Sequence, residues 1–401
     1  MWKVFRDVNH DACILIARKR NLSLDFRPGG ASTKYEQSIR IRAIPRGVSE
    51  PEKLRRLAEG NWLINHDASH RFLFRQPRHR FETIYPPNIA DELDKAASAC
   101  RRLQELADVT VGIQVYHHSR VDRDFIKRKG FHSTYKKGSV WHPFVEANDI
   151  QRYYSRRSHQ KWLKYSDKLH DKRDLEHYAR PRILIQQMFW KRISGYLEFP
   201  DVPYLYLNTV FAIFNPREVE LSYLLGIINS RFVSATYERR ANRLLGDKFP
   251  KVSKLDLVTI PIPMPHEHSI RKISKAAVDL QDTWSALRQG LEEASAVLSG
   301  IHREGSLAHF DRFWEMTENQ FVNAVCRRYD TSSMPKIVLS RECYKSAKAT
   351  IDGIWYKVIE AERLLEELVK TAYRIPEDIY NLVCDGTPEP SISWALFAMR
   401  E

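Results

Sequence analysis

The chain has 401 residues, room for two or three domains with a proper core, and its 43% hydrophobic and 28% charged content excludes a disordered or fibrous protein. The net charge is +14, and it is uneven: residues 266–401 hold 17 basic and 21 acidic residues, so residues 1–265 carry +18. A basic front half is the footprint of a polyanion binder, weighed against the plainer reading of a solvated basic surface.

Cysteines stand at 13, 100, 326, 343 and 384 without C-x-x-C spacing, so neither a zinc module nor a disulfide framework is indicated. No apolar window of about eighteen residues exists and the N-terminus lacks a signal-peptide layout, so a soluble, intracellular protein with no membrane partner is expected.

In chain order, residues 1–19 form one strand-like unit, with Phe5, a polar turn, then Cys13 to Ala17. A strand pattern follows from Tyr35 to Ile44, and a short helix from Pro51 to Glu59, where proline suits the first turn. Trp62 to Phe74 and Phe81 to Tyr85 read as strands, ended by Pro86-Pro87. From Ile89 to Leu106, Leu93, Ala96, Ala97, Cys100, Leu103 and Leu106 fall on one helical face.

Residues 151–192 concentrate charge, with 12 basic and 4 acidic residues interleaved with Tyr153, Tyr154, Trp162, Tyr165 and Tyr178. Within this stretch Ile183 to Ile185 opens a strand that continues through Gln186 and Gln187 to Trp190. Tyr204 to Phe214 is a second strand, closed by Asn215-Pro216, and Glu220 to Tyr237 has a helical period through Leu221, Leu224, Leu225, Ile228 and Phe232. A second basic patch, Arg231 to Lys254, holds 7 basic and 2 acidic residues. The closing Ile260-Pro261-Ile262-Pro263 must be a sheet edge or an exit, because alternate prolines cannot sit inside a sheet.

Beyond Pro265 the pattern turns helical. Ile273, Ala277, Leu280, Trp284, Leu287, Leu291, Ala294 and Leu298 alternate steps of four and three, the seam of a coiled coil. Ile351, Ile354, Val358, Ala361, Leu365 and Leu368 repeat it, so the two helices are expected to pack antiparallel, within one chain or between chains. Phe310 to Val325 reads as another helix.

The helix "LLGIINSRF" followed about twenty residues later by "FPKVSKLDLVTIPIP", with "PRILIQQM" before them and "HPFVEANDIQRYY" upstream, resembles the TaqI-like C-terminal specificity domain. That domain is the target-recognition part of adenine-specific DNA methyltransferases and of restriction enzymes fused to them. The segment "LADVTVGIQVYHHS" is similar to a further family turn, but Tyr116 or His117 replaces its second glycine, which puts a tight turn there in doubt. Residues 1–19 resemble the last strands of a methyltransferase core. The core's glycine loop for S-adenosylmethionine and its Asn-Pro-Pro-aromatic tetrad are not found: Tyr85-Pro86-Pro87-Asn88 runs in the wrong order, and Asn215-Pro216 is followed by Arg217.

The resemblance implies an α+β fold, a mixed-sheet target-recognition domain followed by a helical, coiled-coil-like C-terminal region. The expected boundaries are 1–60 (core remnant and connector), 61–265 (recognition domain) and 266–401 (helical spacer). It implies a specificity component in a bacterial or archaeal cytoplasm that positions a methyltransferase core on double-stranded DNA. No catalytic or metal residues and no cofactor are expected in this chain, S-adenosylmethionine belonging to a partner or a missing catalytic domain, and self-association through the C-terminal helices is open. The rivals are a stand-alone DNA-binding defence or regulatory protein, and a cryptic nuclease or methyltransferase. Against a metal, His117-His118 and His266-x-His268 lack acidic or cysteine partners at ligand spacing, and Pro200-Asp201 lacks a following acidic-x-Lys.

Candidate DNA contacts are Arg152, Arg156, Arg157, Lys161, Lys164, Lys172, Arg173, Arg182, Gln186, Gln187, Lys191, Arg192, Arg231, Arg239, Arg240, Asn242, Arg243, Lys248 and Lys251. Lysine and arginine supply phosphate contacts that carry affinity. Arginine fits guanine bidentately and Gln or Asn fits adenine, which marks Gln186, Gln187, Arg239, Arg240, Asn242 and Arg243 as candidate readers.

Overall fold

The structure is a computed structural model describing residues 38–44, 49–69, 72, 85–155, 161–240, 251–300, 313–329 and 334–392. The strand expected within residues 1–19 lies outside them. The chain divides into two compact units, Met1–Ser98 and Ala99–Glu401.

In the first unit, β1 (Ser38–Ala43) and β2 (Ile64–Ser69) pair antiparallel, from Ser38 opposite Ser69 to Ala43 opposite Ile64. Helix α1 (Glu50–Glu59) has its proline in the first turn and ends on Gly60 in the left-handed region, whose N–H closes onto the Arg56 and Leu57 carbonyls. Helix α2 (Pro87–Ser98) buries Ile89, Ala90 and Leu93. The single helix expected to reach Leu106 stops at Ser98. Arg101-Arg102 instead forms a strand, and Leu103 and Leu106 are buried in a separate turn of helix.

The second unit carries the strands β3 (Arg101–Arg102), β4 (Asp108–Val111), β5 (His132–Ser133), β6 (Trp141–Val145), β7 (Ile150–Gln151) and β8 (Tyr154–Ser155). They are followed by β9 (Trp162–Lys164), β10 (Arg182–Gln186), β11 (Gly195–Glu198), β12 (Leu205–Tyr206), β13 (Val210–Phe214) and β14 (Pro261–Ile262). One sheet has the order β11-β10-β13-β4, all antiparallel; the other has the order β12-β6-β9-β5, with β12 parallel to β6. Strand β10 is buried along its whole length, as a central strand rich in β-branched residues should be. The core between the sheets includes Ile113, Phe144, Leu163, Leu184, Tyr206 and Ala212.

The segment Tyr204–Phe214 is two strands. It leaves the second sheet after Tyr206 and enters the first at Val210, with Ile113 receiving Asn208 N–H and donating its own N–H to Tyr206. Gly112 sits against this crossing: a Cβ there would lie 2.2 Å from the Leu207 carbonyl oxygen, so only glycine fits. A turn follows from His117 to Arg120, closed by the Arg120 N–H on the His117 carbonyl at 3.0 Å. Neither Tyr116 nor His117 has a positive φ. The Tyr116 hydroxyl accepts from the Phe131 N–H (3.1 Å) and bonds His132 Nδ1 (2.8 Å). The proline exit pairs as expected at an edge, Pro261 opposite Arg102 in the two-stranded ribbon β3–β14.

The helix expected from Glu220 to Tyr237 is broken into α3 (Leu221–Ile228) and α4 (Arg231–Arg240). The break has a cause in Asn229, whose buried amide both accepts from the Gly195 N–H and donates to the Gly195 carbonyl at 2.8 Å, docking the helix end onto β11. The long helices α5 (Glu267–Gly300) and α7 (Met334–Tyr373) pack within one chain, with α6 (Glu318–Tyr329) and α8 (Glu377–Cys384) alongside α7 and α4 respectively. Their direction is antiparallel: Gly290 lies against Ile351 and Ile354, whereas Ile273, Ala277 and Leu365 converge on Gly226 of α3. Ile273, Ala277, Leu280, Trp284, Leu287 and Leu291 are all buried, as the periodicity requires. Each fully buried Leu or Ile contributes about 1.5–3 kcal/mol. The helical region and the recognition sheets therefore share one body, joined through α3.

Candidate nucleic-acid interface

The cations of the basic stretch separate into internal and external sets. Arg182 enters β10 beside Glu198 of β11, both fully buried at 2.6 Å, and its guanidinium donates to the Tyr178 and Tyr204 carbonyls. Arg152 follows β7 and pairs with Glu362 of α7, while Arg192 donates to the Asn229 and Pro388 carbonyls and lies 3.5 Å from Glu366. Burial, then the neighbouring Arg152 charge, pull the Arg192 guanidinium down to about 10, so it remains charged at neutral pH. Gln186 is buried too, its amide nitrogen placed to donate to the Ala147 (2.9 Å) and Ile150 (3.2 Å) carbonyls.

Arg152, Arg182, Gln186 and Arg192, expected among the DNA contacts, are all buried in this structure. A buried charge must be paired, and these are committed to partners inside the fold. Two further candidates are largely engaged. Arg231 bonds the Cys384 and Thr387 carbonyls and Glu389. Lys161 bridges Glu146 and Asp149 at 2.8 Å each; burial raises the Asp149 carboxyl above its usual range against the pull of Lys161.

The external set lies in two places. Gln187 and Lys251 come together where β10 ends: Met188 bridges to Lys251, and the Val252 N–H donates to the Gln187 carbonyl at 2.7 Å; Lys191 follows on the same loop. The strand expected to run to Trp190 ends at Gln186, and the loop after it is anchored on both sides. Phe189 is buried against Tyr237 of α4, and Arg192 is buried as above. Between them Trp190 is 60% exposed and Lys191 is exposed at φ +60°, a left-handed conformation that lysine seldom adopts. Arg239 and Arg240 close helix α4 just after Tyr237, whose hydroxyl accepts from the Ser253 N–H. Arg156, Arg157, Asn242, Arg243 and Lys248 lie outside the described residues.

Lys164, Lys172 and Arg173 belong to the second place, on and beyond β9. Lys164 is exposed; Lys172 pairs with Asp167 above the Tyr165 ring; Arg173 bonds Thr110 Oγ1 at 3.1 Å. Two groups escaped the sequence reading. Trp190 was legible only as a strand residue, since nothing local announces the loop. Tyr135, Lys136 and Lys137 were legible in principle, as a basic-aromatic turn ended by Gly138 between two short strands.

The two small sheets thus hold their buried arginines in internal pairs, while Gln187 is half-buried and Trp190 and Lys191 are exposed on the loop after β10. Residues 142–262 match the family model of the TaqI-like C-terminal specificity domain. A protein of Methanocaldococcus jannaschii named as a type II restriction enzyme and methyltransferase, RM.MjaORFECS2P, is 23% identical over 354 residues, covering 82% of this chain and 26% of its own length. The chain thus spans about a quarter of that relative.

Solved structures resembling the chain include the type IIL restriction-modification enzyme MmeI in complex with DNA, at TM-score 0.31 and 13% identity over 69% of this chain and 37% of that one. The type IIG restriction endonuclease BpuSI gives 0.32 and 12% over 72% and 33%. Scores of this size do not define a common arrangement of the whole chain. Among the described residues, no helix is long and apolar enough to cross a membrane.

Proposed function

We propose that this chain is the DNA-specificity component of a restriction-modification system, which holds a chosen duplex sequence for an adenine-methylating catalytic core. The observation that carries the reading is the specificity-domain match over residues 142–262, the stretch that holds Gln187, Lys191 and most of the exposed cations just described. Burying Arg152, Arg182 and Arg192 shapes the scaffold, and the loops it fixes supply the contacts. The named activities of the relative, of which this chain spans about a quarter, support assigning catalysis to another polypeptide or another part of a longer one.

Binding to duplex DNA should weaken steeply with salt, because each neutralised phosphate releases a counterion. A fluorescence titration with a labelled duplex between low and moderate salt tests this, and an affinity that does not change with salt contradicts it. The chain as given should bind no S-adenosylmethionine, since its sequence offers neither the glycine loop nor the Asn-Pro-Pro tetrad. Calorimetry should give a flat trace; a stoichiometric isotherm would place a cofactor site in this chain.

A further inference from the structure

The outer face of the small sheet β6-β9-β5 carries an arrangement that the specificity-domain match does not assign. Across the strands, Trp141 lies opposite Lys164, and Trp162 opposite both Pro143 and Ser133. Leu163, between Trp162 and Lys164, points the other way into the core, so Trp162 and Lys164 share the outer face. The loop from Thr134 to Val140 folds over this face. Lys136 Nζ stands 5.8 Å from the Trp162 ring centre, and Lys137 Nζ stands 5.4 Å from Trp141 and 5.2 Å from Tyr135, itself 63% exposed. Gly138, at φ +151°, gives the loop a conformation closed to other residues and returns it to β6, where the Trp141 N–H bonds the Gly138 carbonyl.

Aromatic faces attract ammonium groups and limit where they wander. Lysine normally loses much side-chain freedom on binding, and a lysine already held over a ring loses less. Among the described residues no carboxylate pairs with Lys136, Lys137 or Lys164. By contrast Lys161, immediately before β9, is paired with Glu146 and Asp149. Three ammoniums on one face, two seated on rings and none neutralised, complement an extended polyanion, and their point-charge chemistry suits phosphate oxygens more than base edges.

We infer that the face formed by Tyr135, Lys136, Lys137, Trp141, Trp162 and Lys164 is a phosphate-gripping surface for the backbone of duplex DNA, supplying affinity without sequence preference. This rests on the reading of the chain as a DNA-specificity component.

The test compares Lys136→Gln/Lys137→Gln with Lys275→Gln, an exposed control cation on α5. Glutamine keeps most of the stem and removes the charge. Each protein is titrated with a duplex containing the preferred site and with a random duplex over a salt series. The double variant should lose on the order of ten-fold in affinity on both duplexes and flatten the salt slope by about two units, one per contact. The Lys275→Gln control should stay close to the wild type. If the double variant matches the control in affinity and slope, the face is not a phosphate surface. If the wild type itself shows no salt-dependent duplex binding, the functional reading fails first, so the two failures are distinguishable.

Discussion

Replacing Glu362 by Ala should destabilise the second unit by about 3–5 kcal/mol, the cost of leaving a buried charge without its partner. Arg152 reaches Glu362 across 210 residues of sequence, and both are buried. Glu366, one helical turn further along α7, receives the Arg231 backbone N–H at 2.8 Å and the Tyr380 hydroxyl, and faces Arg192 at 3.5 Å. Two arginines, one from the turn between β7 and β8 and one from the loop between β10 and β11, thus meet two glutamates of one helix, and the helix cannot shift without stranding charge. A large effect is expected from either single variant, Arg152→Ala or Glu362→Ala, measured as the shift in denaturant midpoint. The paired replacement Arg152→Met with Glu362→Leu should recover much of the loss, because a hydrophobic pair of similar volume avoids the desolvation cost. Single variants within about 0.5 kcal/mol of the wild type would show that the pair is solvated and that α7 is not fixed to the sheets through it.

The second large effect is expected at the loop after β10. Trp190 and Lys191 stand between the buried Phe189 and Arg192, with Gln187 just before them at the end of β10, so if this loop reads bases its side chains start from a fixed base. Glutamine matches the adenine edge, and an exposed tryptophan offers a stacking face or a wedge. Gln187→Ala or Trp190→Ala should cost about 1–3 kcal/mol on the preferred site and much less on random DNA, the mark of a base contact. Because Trp190 is largely exposed, its removal should leave the unfolding midpoint unchanged. Lys191→Gly removes a charge while relaxing a left-handed backbone, so it should reduce binding without reducing stability. Equal losses on preferred and random duplexes would move these residues from reading to backbone contact.

Much of the scaffold is legible in the sequence because burial imposes a period. The alternating steps of Ile273, Ala277, Leu280 and Trp284 fix the face of α5, and the apolar run Ile183-Leu184-Ile185 marks the central strand. What periodicity does not report is where a chain changes sheets or a helix breaks. Those events depend on Gly112 against the Leu207 carbonyl and on Asn229 against Gly195, contacts made only in the folded molecule. The cations were the least legible part. Arg152, Arg182 and Arg192 look in sequence like Lys164 or Lys191, and only the approach of Glu362, Glu198 and Glu366 turns them into interior struts. Composition reports how much positive charge a segment holds; its direction depends on partners far along the chain.

The central claim, that this chain reads a DNA sequence, is tested most directly by a binding selection: the wild-type chain is challenged with a pool of randomised duplexes at moderate salt, and the bound fraction is sequenced over successive rounds. A specificity component should enrich a short defined motif, and the same pool challenged with Trp190→Ala should enrich it less. A pool that stays random through every round, while the protein still binds DNA, would contradict the account and leave a basic protein that grips the backbone without reading it.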